Sequence, residues 1–135
     1  LLMIDPTATG QRPEDVHVIR LEPVVGETLR IERVGSEWKL SSASGAHATT
    51  TAKVEGLLGK LCDSRASEIT LSAAPADLIV GRIVLESFDG REISSVNVSR
   101  ERNEGRFGVD DGSGVLRIFS PSLGLRFDAT AFASE

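Results

Sequence analysis

Apolar and polar residues alternate with period two over most of this chain, and only one stretch breaks that rhythm with a helical stripe. Thr28 to Val34 alternates cleanly, Leu29 and Ile31 to one side and Arg30 and Glu32 to the other, as a half-buried antiparallel strand does. Val16 to Glu22 is a second strand, and its adjacent apolar pair Val18-Ile19 predicts a bulge or a switch of face. Glu37 to Leu40 follows the turn at Gly35-Ser36 as a third strand, and the small, polar stretch Ser41 to Ala48 reads as a loop. Further along, Glu68 to Ser72 is a short strand and Ala73 to Asp77 a linker. Arg82 to Phe88 and Arg91 to Ser99 flank Asp89-Gly90, and Arg106 to Val109 and Val115 to Phe119 flank Asp110 to Gly114. Leu123, Leu125 and Phe127 alternate once more near the end.

One phrase occurs twice. Ile19-x-Leu21-Glu22, then Gly26 and Leu29, reappears as Ile83-x-Leu85-Glu86, then Gly90 and Ile93. Both copies read as β-hairpins. Asp89-Gly90 predicts a type I′ turn, which needs positive φ at both central residues and sets Ile83 opposite Val96 and Leu85 opposite Ser94.

The helical stripe lies between the copies. Val54, Leu57, Leu58 and Leu61 share one face of a helix that begins near Thr50 or Thr51, whose hydroxyl can cap it. Gly56 and Gly59 each disfavour a helix interior by about 1 kcal/mol, so packing holds the helix, and either glycine marks a close approach of neighbouring backbone. The sum is about eight strands and one amphipathic helix: an α+β fold of antiparallel meanders, built from two related hairpin units with the helix laid on the sheet.

Composition narrows the class. At 135 residues a single domain is expected, because domains run to about 100–200 residues. With 40% hydrophobic and 26% charged residues the chain is globular, and with five Phe, one Trp and no Tyr its core is aliphatic. A net charge of −5 without basic runs excludes a surface that tracks a phosphate backbone, so nucleic acid is not a partner. The segment 1–13 reads as a leader or linker and 14–135 as the domain. Leu1-Leu2-Met3-Ile4 before Asp5-Pro6 reads as the tail of a membrane helix or a removed leader, or else as a short edge strand or a disordered start.

Reactive side chains do not gather. Cys62 follows the leucine stripe and reads as core, with His47 as the partner a reactive thiol would need. His17 lies between two valines of a strand and faces outward. His17, His47 and Cys62 lack metal-ligand spacing, and the calcium-like start at Asp5-x-Thr7-x-Thr9 fails at Val16, where a bidentate Glu is required. Asp110-Asp111-Gly112 is an acidic turn, and Arg100 to Glu104 a solvated loop of mixed charge. Trp38 and His47 are the candidate ligand-binding residues, Trp38 as a stacking ring beside the helix start, although such a ring more often belongs to the core.

Three segments carry a resemblance. Val16-x-x-Ile19-x-Leu21, Gly35-Ser36-Glu37-Trp38-Lys39-Leu40 and Val54-Glu55-Gly56-Leu57-Leu58-x-x-Leu61 resemble, in order and spacing, the bacterial family known as domain of unknown function 4340 (DUF4340). The likeness covers most of residues 14–119. It departs at Ala74 to Leu78, where the family has Gly-Leu-x-x-Pro, and in lacking a Tyr-rich strand, as a divergent or partial copy would. The resemblance implies a domain that follows an N-terminal membrane helix on the envelope side, in some members beside an ABC transporter, and it implies no catalytic residues.

The expectation is therefore a non-enzymatic, extracytoplasmic interaction module of a bacterial membrane-associated protein. It needs no cofactor or metal, meets an envelope protein through its sheet edges or hairpin tips, and touches the membrane only through an upstream anchor helix. The alternative is a small-ligand binder with a pocket between helix and sheet near Trp38 and His47, and the third is a hydrolase with scattered residues.

Overall fold

The computed structural model describes residues 6–132. Strands β1 (Val18–Pro23), β2 (Leu29–Val34), β3 (Glu37–Ser42) and β4 (Gly45–His47) come first, followed by helix α1 (Thr51–Cys62). Next come β5 (Glu68–Thr70), β6 (Ile79–Glu86), β7 (Glu92–Arg100), β8 (Phe107–Asp110) and β9 (Leu116–Phe119). All nine strands form one antiparallel sheet in the order β4-β3-β2-β1-β6-β7-β8-β9-β5. The chain is an α+β protein, as its alternation and single stripe predict, with nine strands among the described residues where about eight were expected.

The repeated phrases meet at the centre of this sheet. β1 runs antiparallel to β6 with Ile19 opposite Leu85, Arg20 opposite Val84 and Leu21 opposite Ile83. Ile83 and Leu85 are the repeat's counterparts of Ile19 and Leu21, so the pairing is symmetric about Arg20 and Val84. Two four-strand meanders, β1 to β4 and β6 to β9, are thereby related by an approximate two-fold axis through the sheet.

Helix and linker then cross opposite faces, the helix from edge to edge and the linker from an edge to the centre. α1 leaves β4 at one edge and reaches β5 at the other, and the segment after β5 returns to β6 beneath the sheet, where Ala74 N donates to Asp110 Oδ2 at 3.1 Å. Thr50 caps the helix by accepting the Lys53 N–H at 3.3 Å. The stripe Val54, Leu57, Leu58 and Leu61 is at most 3% exposed and packs with Ile19, Leu21, Ile31, Trp38, Leu40, Ile83, Leu85 and Phe107 in one core. Burial of each helix side chain supplies about 1.5–3 kcal/mol, which outweighs the two glycines.

Several expectations are corrected. Leu123 to Phe127 is not a strand: the chain turns at Pro121–Leu123 and runs unpaired across the helix face of the sheet, burying Leu123 and Leu125. The edge strands β4 and β5 are only three residues long and offer little ladder, and burying Leu123 and Leu125 over the helix face holds the run there instead. Gly45 to His47, expected as loop, is a strand, because Ser42 Oγ accepts the Ser44 N–H at 3.2 Å and Gly45, at φ 121°, folds the polar stretch back on itself. There is no bulge at Val18-Ile19, where the register is unbroken. Both residues are buried because both faces are covered there, Val18 lying opposite Glu32 and Glu86 in the ion-paired far face.

The second hairpin has the expected register and a different turn. Ile83 does face Val96 and Leu85 Ser94, but Asp89 does not have positive φ; only Gly90 does, at 85°. Gly90 N donates to Ser87 O at 3.1 Å and Ser87 N to Arg91 O at 2.8 Å, enclosing three residues in a type I turn that ends on the left-handed glycine. A bulge at Ile93 then absorbs the added residue and restores the register of a two-residue loop.

The first described residues are tied to the domain. Ala66 N donates to Pro6 O at 2.8 Å, Thr9 N to Leu61 O at 3.2 Å, and Ala8 is 2% exposed. Leu1 to Ile4, read as an anchor tail, lie outside the described residues. Neither helix glycine marks a close approach, since a Cβ at Gly56 or Gly59 meets nothing within 4 Å. Gly59→Ala is accordingly expected to stabilise the domain by about 0.5–1 kcal/mol, read as a higher melting temperature.

Candidate functional site

Two hairpin tips project from opposite ends of the sheet, as the two-fold relation of β1 and β6 requires, and each exposes apolar side chains. At the first, β1 ends in Pro23 and the chain turns through Val24, Val25 and Gly26, the last at φ 117°. Val24 N donates to Val80 O at 3.0 Å, which carries the β1–β6 pairing past the end of β1 and brings Val80 alongside. Val24 is 66% exposed, Val25 89% and Val80 37%. They adjoin a shallow cleft of about 390 Å³ whose walls include Pro23, Leu29, Phe127 and Ala129. Phe127 is fixed there by Gly81, where a Cβ would stand 2.7 Å from the ring.

The rim of this patch is acidic. Glu27 and Asp128 line the cleft. Ser44 Oγ donates to Glu27 Oε1 at 2.5 Å, and hydrogen bonds from Ser44 and Ser42 hold the Glu27 carboxyl below its usual range. Asp128 pairs with Arg126 at 3.0 and 2.7 Å.

At the second tip Phe88 is 60% exposed and stacks on His17 with ring centroids 4.9 Å apart. The Arg33 guanidinium lies 4.3 Å from the Trp38 ring centre and 5.9 Å from that of Phe88. Its fork is fixed by the carbonyls of Val16, at 3.2 and 3.3 Å, and Pro13, at 3.2 Å. His17, expected to face outward, is half-buried between Phe88 and Glu32, with its Nε2 3.4 Å from the Glu32 carboxylate.

The residues named from sequence are placed as follows. Trp38 is 6% exposed in the core, with Arg33 over its ring. His47 sits on β4 opposite Leu40, its Nε2 3.1 Å from Ser42 Oγ. Neither lines the cleft at the hairpin tip or the cleft along α1. Cys62 is buried, and that burial pushes its thiol up from the ordinary value. The thiol therefore stays protonated at neutral pH and is expected to react with a thiol reagent only on unfolding, measured by labelling rate across a denaturant series. A raised folded-state value also fixes a sign: the stability linked to Cys62 is fully present below the ordinary thiol range and is lost as pH rises through the raised value.

The acidic turn is structural. Asp110 is 8% exposed, and its two oxygens accept Ala74 N at 3.1 Å and Gly112 N at 2.8 Å. Asp111 accepts Ser113 N at 3.0 Å, and hydrogen bonding from the Ser113 side chain, more than from its backbone, lowers its carboxyl from the usual range. Among the described residues no group of three or more His, Cys, Asp or Glu is placed to hold a metal. The Arg100–Glu104 loop is ion-paired: Arg106 grips Glu101 at 2.7 and 2.8 Å, and Arg102 reaches Asp77 at 3.0 Å.

Sequence reasoning missed Val24, Val25 and Val80 as a patch. Its signal was present in part, since Pro23-Val24-Val25-Gly26 puts two β-branched apolar residues at a turn where polar ones are usual. Val80 joins them only through pairing distant in sequence. No family model matches the chain, and no curated protein and no solved structure matches it either. Among the described residues no helix is long and apolar enough to cross a membrane.

Proposed function

We propose that this domain is a non-enzymatic interaction module that grips a protein partner with the β1–β2 hairpin tip. The supporting observation is the juxtaposition of Val24, Val25 and Val80 in solvent, in a domain whose strand valines Val96, Val98 and Val109 are buried in the core. Contiguous exposed apolar surface bordered by polar groups is characteristic of a protein contact. Its acidic border, Glu27 and Asp128, selects a partner with an apolar patch flanked by lysine or arginine. The sheet edges are a poorer choice than the tips. β4 and β5 have three residues each, which leaves little ladder for an added strand.

The candidate reactive groups support a binding role, because each already has a structural task. Cys62 fills the core, His17 stacks on Phe88, His47 meets Ser42, and Asp110 anchors two backbone segments. Placement on the envelope side of a bacterial membrane, beside an ABC transporter in some members, rests on the resemblance to DUF4340 and is tested by protease accessibility in spheroplasts.

A photo-crosslinking residue at Val25 of the full-length protein, in its own cell, tests the contact. One defined protein adduct is expected, lost when Val80→Glu is added and not formed from Lys39 on the far face. An adduct pattern common to both positions, or none from Val25, would refute the reading.

A further inference from the structure

β7 runs from Glu92 to Arg100, but β8 pairs with it only from Asn97 onward, where Asn97 faces Asp110. The stretch from Glu92 to Val96 therefore has β6 on one side and, among the described residues, no strand on the other. This gap lies inside the sheet, at the end opposite Val24 and Val25. It opens into a cleft of about 560 Å³ between β7 and the segment from Ala8 to Gln11. Asp111, just past the end of β8, and Arg117 of β9 also line the cleft and pair with each other at 3.8 Å.

The ladder fixes where Ser95 points. In an antiparallel sheet the N–H and C=O of one residue face the same side, and the side alternates along the strand. Arg33 N donates to His17 O at 2.9 Å, so the unbroken register of β1 turns the peptide groups of Val18 and Arg20 to β6. Val84, opposite Arg20, faces back to β1, and Ser95, opposite Val84, turns its N–H and C=O into the gap. One acceptor on this border is already taken as a neighbouring strand would take it, since Gln11 Nε2 donates to Ile93 O at 3.0 Å. A carboxamide has the donor chemistry of a peptide group, so Gln11 supplies there what an added strand would.

We propose that the gap binds a short extended peptide segment, which lies beside β7 and exchanges two main-chain hydrogen bonds with Ser95. Main-chain pairing is the source of affinity when an extended peptide adds to a sheet, and alternate side chains meet the walls. Those walls are polar, with Thr9, Gln11, Asp111 and Arg117 among them, which selects a segment rich in hydroxyl and amide side chains. At about 30 Å³ for each water-sized group the cleft holds about 19 of them, the heavy atoms of two residues with their flanking peptide groups. This site is independent of the hairpin-tip contact and survives its failure.

The test is an NMR titration of the whole chain with the peptide acetyl-Thr-Thr-Val-Thr-Thr-amide, whose β-branched residues favour the extended form. Without peptide, the Ser95 N–H is expected to exchange quickly with solvent between the slow amides of Ser94 and Val96. Peptide at about ten times its dissociation constant should shift the Ser95 amide saturably and slow its exchange about tenfold, while the amides of Val24 and Val25 stay unmoved. The same peptide N-methylated at every residue keeps its side chains, loses its donors and should not bind. Ser95→Pro removes the N–H without breaking a ladder bond, and should abolish binding in a chain that circular dichroism shows to be folded. Slow exchange of Ser95 in the free chain, no shift there with millimolar peptide, or equal binding of the methylated peptide would each overturn the proposal.

Discussion

Trp38→Ala is expected to lower the unfolding free energy by about 3–5 kcal/mol, the usual loss when a large buried ring is truncated and the cavity does not collapse. Trp38 is 6% exposed, and its ring carries the Arg33 guanidinium at 4.3 Å. Removing the indole takes away a core contact of α1 with β3 and the platform on which Arg33 rests. Trp38→Phe keeps a ring in that place and should lose about half as much. Chemical denaturation of the two variants beside the parent chain measures this. If Trp38→Ala unfolds at the parent's midpoint, the indole is not the core element described here.

Asp110→Ala is expected to cost about 2–4 kcal/mol, because it strands two backbone donors at once. Ala74 N and Gly112 N both point at this carboxylate, at 3.1 and 2.8 Å, from segments far apart in the chain. The loss should be localised before it is global. Amide exchange at Ala74 and Gly112 should quicken more than exchange in the centre of β1 or β6. Asp110→Asn retains one acceptor oxygen and replaces the other with a donor, so it should restore one contact and lose the other. The same pair of variants separates an anchoring role from a cation site. A carboxylate with both oxygens engaged by N–H groups predicts no change in melting temperature on adding calcium, whereas a rise with calcium that Asp110→Ala abolishes would contradict the anchoring role.

The alternation of Leu29, Ile31 and their polar neighbours, the stripe from Val54 to Leu61 and the cap at Thr50 were all legible because each is a local consequence of side-chain period and hydrogen-bonding reach. The register of the second hairpin was legible too, although its turn was not. A three-residue loop followed by a bulge at Ile93 returns the strands to the pairing that a two-residue loop gives. Leu123 to Phe127 shows the limit of period as evidence. The run alternates like a strand, but pairing needs an edge of some length, and the edge strands β4 and β5 have three residues each, so the run packs its leucines into the core instead. Ser41 to Ala48 shows the converse, where polar composition hid a strand held by a serine turn.

For the candidate sites the balance is different. Cys62 was read as core from its neighbours in the chain and is buried, whereas Trp38, offered from sequence as a ligand-stacking ring, lies in the core beneath Arg33. Val24, Val25 and Val80 form a patch only because β1 lies beside β6.

By itself the sequence determined the class of fold, the repeated hairpin unit, the helix and its buried face, since these follow from short-range periodicity and from turn and cap chemistry. The tertiary structure alone decided that the two repeats pair symmetrically at the sheet centre, that helix and linker cross opposite faces, and that an apolar hairpin tip is left exposed. Those features depend on contacts between residues tens of positions apart, and a local pattern of polarity does not specify which of several compatible edges and faces will meet.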